Sequence, residues 1–312
     1  MTLKPRSLAL LAALAGTGAL GAAVMLLQGA ASASAPSVAP PSQPAPLPAT
    51  SQPAQVKPAA APAALPLLPA RFNQTPDLTQ TDPQLELPGH GESHCAPVAA
   101  SNALVWLAGQ GHDELLPAAN SAKERQKLLV KRLSSARFMG TNELNGTGSR
   151  AVLVGLHRYL ESVGIRYKRL AYQGWRDHPA RFSTGVAIPE LTFIREGLGE
   201  ESIVLINAGW YLPTREGRLF LRRGGHWLAV VGAGVDERGV ADPNILVLRD
   251  SAPYAGDEPA LEYARLEPIE RGYINELRTV LPARGYYRLT GGMHVKRPGE
   301  VAILDGVVVL EL

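Results

Sequence analysis

Apolar positions along this chain fall into three regimes. Residues 8–27 are a single apolar stretch rich in Ala and Leu, interrupted only by Gly and Thr. Between residues 96 and about 196 the spacing is helical. The segment 96–108 carries Ala96, Ala99, Ala100 and Ala103 on a thin face suited to close approach to a sheet, and Gly109 is its stop. Ser121 and Glu124 form a capping box that opens a second helix, with Leu128, Leu129 and Leu133 facing inward. A third helix starts near Ser149, places Val152, Leu156, Leu160 and Val163 on one face and ends at Gly164. Pro189 starts a short fourth helix near Glu190. From residue 203 the pattern becomes strand-like, over 203–211, 226–233 and 245–250, with turn residues between. Apolar runs at 302–304 and 307–310 flank Asp305-Gly306, which reads as a hairpin turn.

Helices first and antiparallel strands second predict an α+β fold, with N-terminal helices packed on a C-terminal antiparallel sheet. The strands from Tyr286 onward read as additional sheet without chemistry. No internal repeat is visible.

Composition changes the picture upstream. Lys4 and Arg6 precede the first apolar run, and Ala31-Ser32-Ala33 follows it as a small-residue cleavage site. Residues 1–35 therefore read as a secretory signal peptide. At about 20 residues the run is also long enough to serve as an uncleaved anchor, a membrane tether for an exported protein. Residues 36–70 hold 11 prolines and 10 alanines and cannot bury a core, so they read as an extended linker. The globular part is then residues 71–312. Three of the 31 basic residues (Lys4, Arg6, Lys57) lie upstream, which leaves 28 against 28 acidic residues in that part. Such a balance argues against a nucleic-acid partner. We expect an exported protein, and a lone cysteine in an oxidising compartment marks either a reactive thiol or pairing between chains.

That cysteine, Cys95, falls at the head of the first helix. A helix N-terminus supplies partial positive charge and free N–H groups, which favour a thiolate and can hold a developing oxyanion. The bland alternative is a buried small hydrophobe. His226 follows in Gly224-Gly225-His226-Trp227, where two glycines leave room for a ligand and a buried strand begins. If residues 236–239 close a hairpin, Asp250 lies across from His226 and can accept its Nδ1 hydrogen bond. Asp242, nearer the far end, is the runner-up.

His94-Cys95-Ala96-Pro97, then Gly224-Gly225-His226-Trp227 running into an apolar strand, then Asp250-Ser251-Ala252-Pro253, resembles the papain-like cysteine peptidases. The branch it resembles includes the bacterial double-glycine leader peptidases and their secreted relatives. The resemblance covers roughly residues 89–253. It implies a papain-like domain over 71–312, with Cys95 as nucleophile, His226 as general base and acid, and Asp250 as orienting residue. It implies a peptide or peptidoglycan-peptide substrate and no cofactor or metal. That branch carries a glutamine a few residues before the cysteine as an oxyanion donor. Here Gln84 stands eleven residues away. His94, His90 and Ser93 are the candidate substitutes.

Three other readings compete. His90, His94 and Cys95 offer metal-ligand chemistry, without a fourth ligand nearby. The domain can serve as a peptide- or wall-binding module with little turnover. A thioester intermediate can also pass its acyl group to an amine instead of water. Trp106, Trp210, Tyr211 and Trp227 read as core, with Trp210 and Tyr211 also able to line a cleft. Asn145-Gly146-Thr147 matches a glycosylation acceptor.

Overall fold

The computed structural model describes residues 69–214, 216–252, 260–277 and 279–312. The expected signal peptide and nearly all of the Pro/Ala linker lie outside the described residues, as does Pro253. The helices are α1 (Pro69–Gln74), α2 (Cys95–Gly109), α3 (Ala122–Ser134), α4 (Ser149–Ser162) and α5 (Leu191–Glu196). The strands are β1 (Arg169–Gly174), β2 (Ser202–Thr214), β3 (Leu219–Val235), β4 (Ala241–Arg249), β5 (Glu262–Pro268), β6 (Tyr273–Glu276), β7 (Thr279–Pro282), β8 (Tyr287–Gly291) and β9 (Val301–Glu311). No helix of the described residues is long and apolar enough to cross a membrane.

The helices form where local chemistry places them. The Ser121 side chain accepts the Glu124 N–H at 3.2 Å and opens α3. Helix α2 is buried on nearly every side, which explains an apolar pattern too broad for a single stripe. Its alanines and leucines meet α3, α4 and the sheet, while Val98 turns toward Leu85, Leu87 and Val130.

The expected α+β papain-like fold, helices on an antiparallel sheet, is not what forms. Strands β2, β3, β4, β5, β8 and β9 pair in that cyclic order, and β9 returns to β2, so six antiparallel strands close into a barrel. The barrel has its own interior core, built from residues such as Val204, Ile206, Leu228, Leu246, Leu266 and Val309. Their neighbours Leu205, Ala229, Val308 and Leu310 point outward to the helices. These strands are thus buried on both faces, which is why they read as continuous apolar runs instead of an alternation. The strands beyond Tyr286 are no addition, because β8 and β9 close the ring. Residues 262–268 and 287–291 are short and mixed in character, so their pattern did not announce that closure.

Asp305-Gly306 is likewise not a turn. It lies inside β9, where Asn207 faces Gly306 but Ala208 faces Leu304, so Asp305 is the extra residue of a β-bulge. Before the bulge β9 pairs with β8, and after it with β1, while β2 lines its other edge throughout. The Asp305 side chain is fully buried at this bulge. Tyr211 Oη donates to its Oδ1 at 2.5 Å and Trp175 Nε1 at 3.0 Å, and Arg222 Nε donates to Oδ2 at 2.7 Å.

Candidate functional site

Sequence alone left Cys95, His226 and Asp250 on separate elements, and the fold brings them together. Cys95 opens α2, and the preceding His94 makes no side-chain cap. The Cys95 and Ala96 N–H groups therefore have no partner within the helix, and Pro97 has none to offer. The approach to Cys95 is tightly turned, with positive φ at Glu86, Gly89, His90 and Gly91. Gly91 is required there, because a Cβ would collide with the Gln80 carbonyl.

His226 sits in the middle of β3, not at its start. Gly224 and Gly225 are strand residues, and the space they leave is taken by protein instead of ligand. A Cβ on Gly224 would lie 3.0 Å from the Trp210 ring, and one on Gly225 would strike the Arg222 guanidinium. Trp210 stacks on the His226 imidazole, with ring centroids 5.6 Å apart and planes 13° from parallel. His226 Nε2 meets Asp250 Oδ1 at 2.5 Å, and both side chains are buried. The bonded nitrogen is thus Nε2, contrary to the Nδ1 contact expected from sequence. Nδ1 is the ring nitrogen left over, and Cys95 is the other group that acts on the ring, helping Asp250 to favour its charged form.

Asp250 reaches the imidazole although the hairpin register is not the simple one. Two bulges in the β3–β4 pairing, at Val230/Gly232 and Ala233/Val235, shift it so that Ala229 faces Arg249. In the continuation of that register Asp250 is a diagonal neighbour of His226, and a shift of two residues keeps both on one face. The Ala252 N–H donates to Asp250 Oδ1 at 2.9 Å. Asp242 lies at the far end and pairs with Arg265 at 2.7 Å.

The electrostatics describe an ion pair. Burial alone would keep the His226 ring neutral, but the Asp250 charge and hydrogen bond, helped by Cys95, raise its pKa well above the ordinary imidazole value. Burial works against the Asp250 charge too, yet His226 and the backbone N–H groups of Ala252 and His294 hold its carboxyl below the usual range. Behind them, Glu262 Oε2 accepts the Asp250 N–H at 3.3 Å. Burial, then the charges of Asp250 and Asp77, push the Glu262 carboxyl up to about 8.

Cys95 and His226 open into a cleft of about 670 Å³. Its walls come from the loop before α2, residues 144–149, β3 and the β8–β9 connection. Ser93 is on this wall, but its hydroxyl donates to the Glu143 carbonyl at 2.5 Å. His90 is exposed and His94 is buried, and neither is among the cleft's described lining residues. Among the described residues no group of three metal-ligating side chains gathers, at His90, His94 and Cys95 or elsewhere. Asn145 of the glycosylation pattern lines the cleft, and Trp227 is core, its Nε1 donating to the Thr147 carbonyl.

Three residues that sequence reasoning passed over belong to the site. Gln80, not Gln84, is the glutamine at the cleft. Its amide nitrogen is committed to the Gly91 and Glu92 carbonyls at 3.1 and 2.8 Å, and its N–H donates to the Ser251 carbonyl at 2.9 Å. It ties the Cys95 loop to the Asp250 loop. Fifteen residues of separation and an irregular backbone hid it. His294 stands edge-on to both Trp210 and His226. Burial lowers its pKa to about 4, so it is neutral at neutral pH. Arg222 lines the cleft and salt-bridges to Asp305 and Glu276. No known protein-family model matches this chain, and no curated protein matches it either.

Proposed function

We propose that this chain is a cysteine-nucleophile amide hydrolase acting on peptides. The observation that carries the reading is the buried Asp250–His226 pair, which shares a cleft wall with Cys95 and leaves Nδ1 of the ring unused by the carboxylate. Shared order of Cys, His and Asp with the papain-like peptidases supports the chemistry. The barrel adds nothing to that likeness.

In this reaction the Cys95 sulfur adds to the amide carbonyl carbon, and the carbonyl oxygen becomes an oxyanion. The Cys95 and Ala96 N–H groups at the head of α2 are the donors available to it. Collapse breaks the C–N bond as the Nδ1 proton of His226 passes to the leaving amine. Water then attacks the thioester and gives a proton to Nδ1. Collapse of this second adduct frees the acid and returns the thiolate. Asp250 holds Nε2–H throughout, which fixes the ring and favours its charged form. Trp210 covers one face of the ring, so water reaches it only from the cleft side.

One observation favours a binding module with little turnover: the Gln80 amide is turned to backbone carbonyls and donates nothing to the cleft. A single experiment separates the two. The rate of Cys95 alkylation by iodoacetamide at pH 7 is followed by intact mass in wild type and His226→Ala. We expect a slowing of about tenfold or more with unchanged circular dichroism. Equal rates would end the hydrolase reading.

A further inference from the structure

The cleft wall beside His226 carries an arginine whose position is fixed from behind. Arg222 is nine-tenths buried, yet it lines the cleft. Its Nε donates to Asp305 at 2.7 Å and its Nη1 to Glu276 at 3.2 Å. Its Nη2 lies against Gly225, the residue before His226, and no hydrogen bond to it is seen among the described residues. The result is a guanidinium whose orientation is set by two carboxylates, with Nη2 left beside the catalytic pair. A charged donor held in this way suits a carboxylate.

Further cations surround it. Arg176 lines the same wall and pairs with Glu276. Trp210 faces Gly224 while Tyr211 faces Arg222, so Arg223 is the extra residue of a bulge in the β2–β3 pairing. Strand alternation would send one of two neighbours to the opposite face, but both Arg222 and Arg223 line the cleft. From the β8–β9 connection come Lys296, whose Nζ lies 5.8 Å over the Trp210 ring, and Arg297. Arg223, Lys296 and Arg297 are exposed and form no ion pair among the described residues. Glu92 and Glu300 are the acidic side chains on the cleft wall.

We infer that the substrate is an anionic peptide, with a carboxylate next to the scissile amide seated against Arg222 and drawn in by Arg223, Lys296 and Arg297. This inference rests on the hydrolase reading of the same cleft. It requires no metal or cofactor, and the opposing charge does the selecting.

Two isosteric-scale reagents test it on the full chain. The ratio of Cys95 alkylation by iodoacetate to that by iodoacetamide is compared with the same ratio for glutathione. We expect the Cys95 ratio to be about tenfold higher at low salt. It should fall to within about threefold of glutathione at 0.5 M NaCl, by screening, and in the rim variant Arg223→Gln/Lys296→Gln/Arg297→Gln. A ratio at or below that of glutathione overturns the proposal. The neutral reagent alone reports the thiol–imidazole pair, so failure of the hydrolase reading appears separately. Should the thiol resist both reagents, fluorescein-labelled hexapeptide pools are titrated onto the Cys95→Ala chain. One pool has Glu, and the other Gln, at every second position. Tighter binding of the Glu pool supports the proposal. Equal binding, or none by either pool, overturns it.

Discussion

Two buried carboxylates pair with cationic side chains of the cleft wall, and they differ in every respect that matters for chemistry. Asp305 rides a bulge in mid-strand and accepts from Tyr211, Trp175 and Arg222. Its partner is a guanidinium that stays charged at any working pH. Asp250 ends a strand and pairs with an imidazole that can lose its proton, and that ring also meets a thiol. The first arrangement is saturated and permanent, and it shapes the wall. The second is titratable and leaves one ring nitrogen for Cys95. Burial of a charge pair does not mark a reactive site; a pair that can exchange a proton with a nucleophile does.

Exchanging the roles of the two acids is the sharpest way to break this comparison. Asp250→Asn should lower turnover by about 10²–10⁴-fold, because the amide cannot fix the ring or balance its charge, and should also lose the pH-dependent stability that the ion pair supplies. Asp305→Ala should act on stability first. Stranding the buried Arg222 guanidinium costs about 3–5 kcal/mol in denaturant unfolding, with activity per folded molecule far less affected than in Asp250→Asn. If Asp305→Ala left stability untouched, the distinction between a structural and a reactive pair would collapse.

A smaller effect is expected from pH. The His226 pKa rises from 6.5 to about 10 on folding, so its stabilising contribution is complete below pH 6.5 and is lost as pH climbs toward 10. Calorimetry from pH 6 to 10 should show wild type losing midpoint relative to His226→Gln over that window. A constant gap between the two would contradict the ion pair. The smallest effect concerns Glu262, whose carboxyl moves from 4.5 to about 8. A raised folded-state value means stability present below pH 4.5 and lost as pH rises through 8. Glu262→Gln keeps an oxygen for the Asp250 N–H but no charge. It should match wild type at pH 4 and melt higher at pH 8, measured by the same scans.

Sequence by itself determined the parts governed by near neighbours. The capping box at Ser121 and Glu124, the stop at Gly109 and the apolar face of Val152, Leu156 and Leu160 placed the helices, because i to i+4 contacts decide them. Lone Cys95 at a helix start, His226 entering an apolar strand and Asp250 across a hairpin were legible for the same reason. Register parity survived two bulges, since a shift of two residues preserves the face. What only the tertiary structure decided involves partners far apart along the chain. Closure of β9 onto β2 joins residues roughly a hundred positions apart, and no local pattern encodes it. Asp305-Gly306 looked like a turn because Asp-Gly usually is one. Arg222, Tyr211 and Trp175 made it a buried anchor instead. Gln80, Arg222 and His294 joined the site in the same way, through loops and bulges whose geometry is set by packing. Local propensity pointed to Cys95, His226 and Asp250, and long-range closure built the cleft around them.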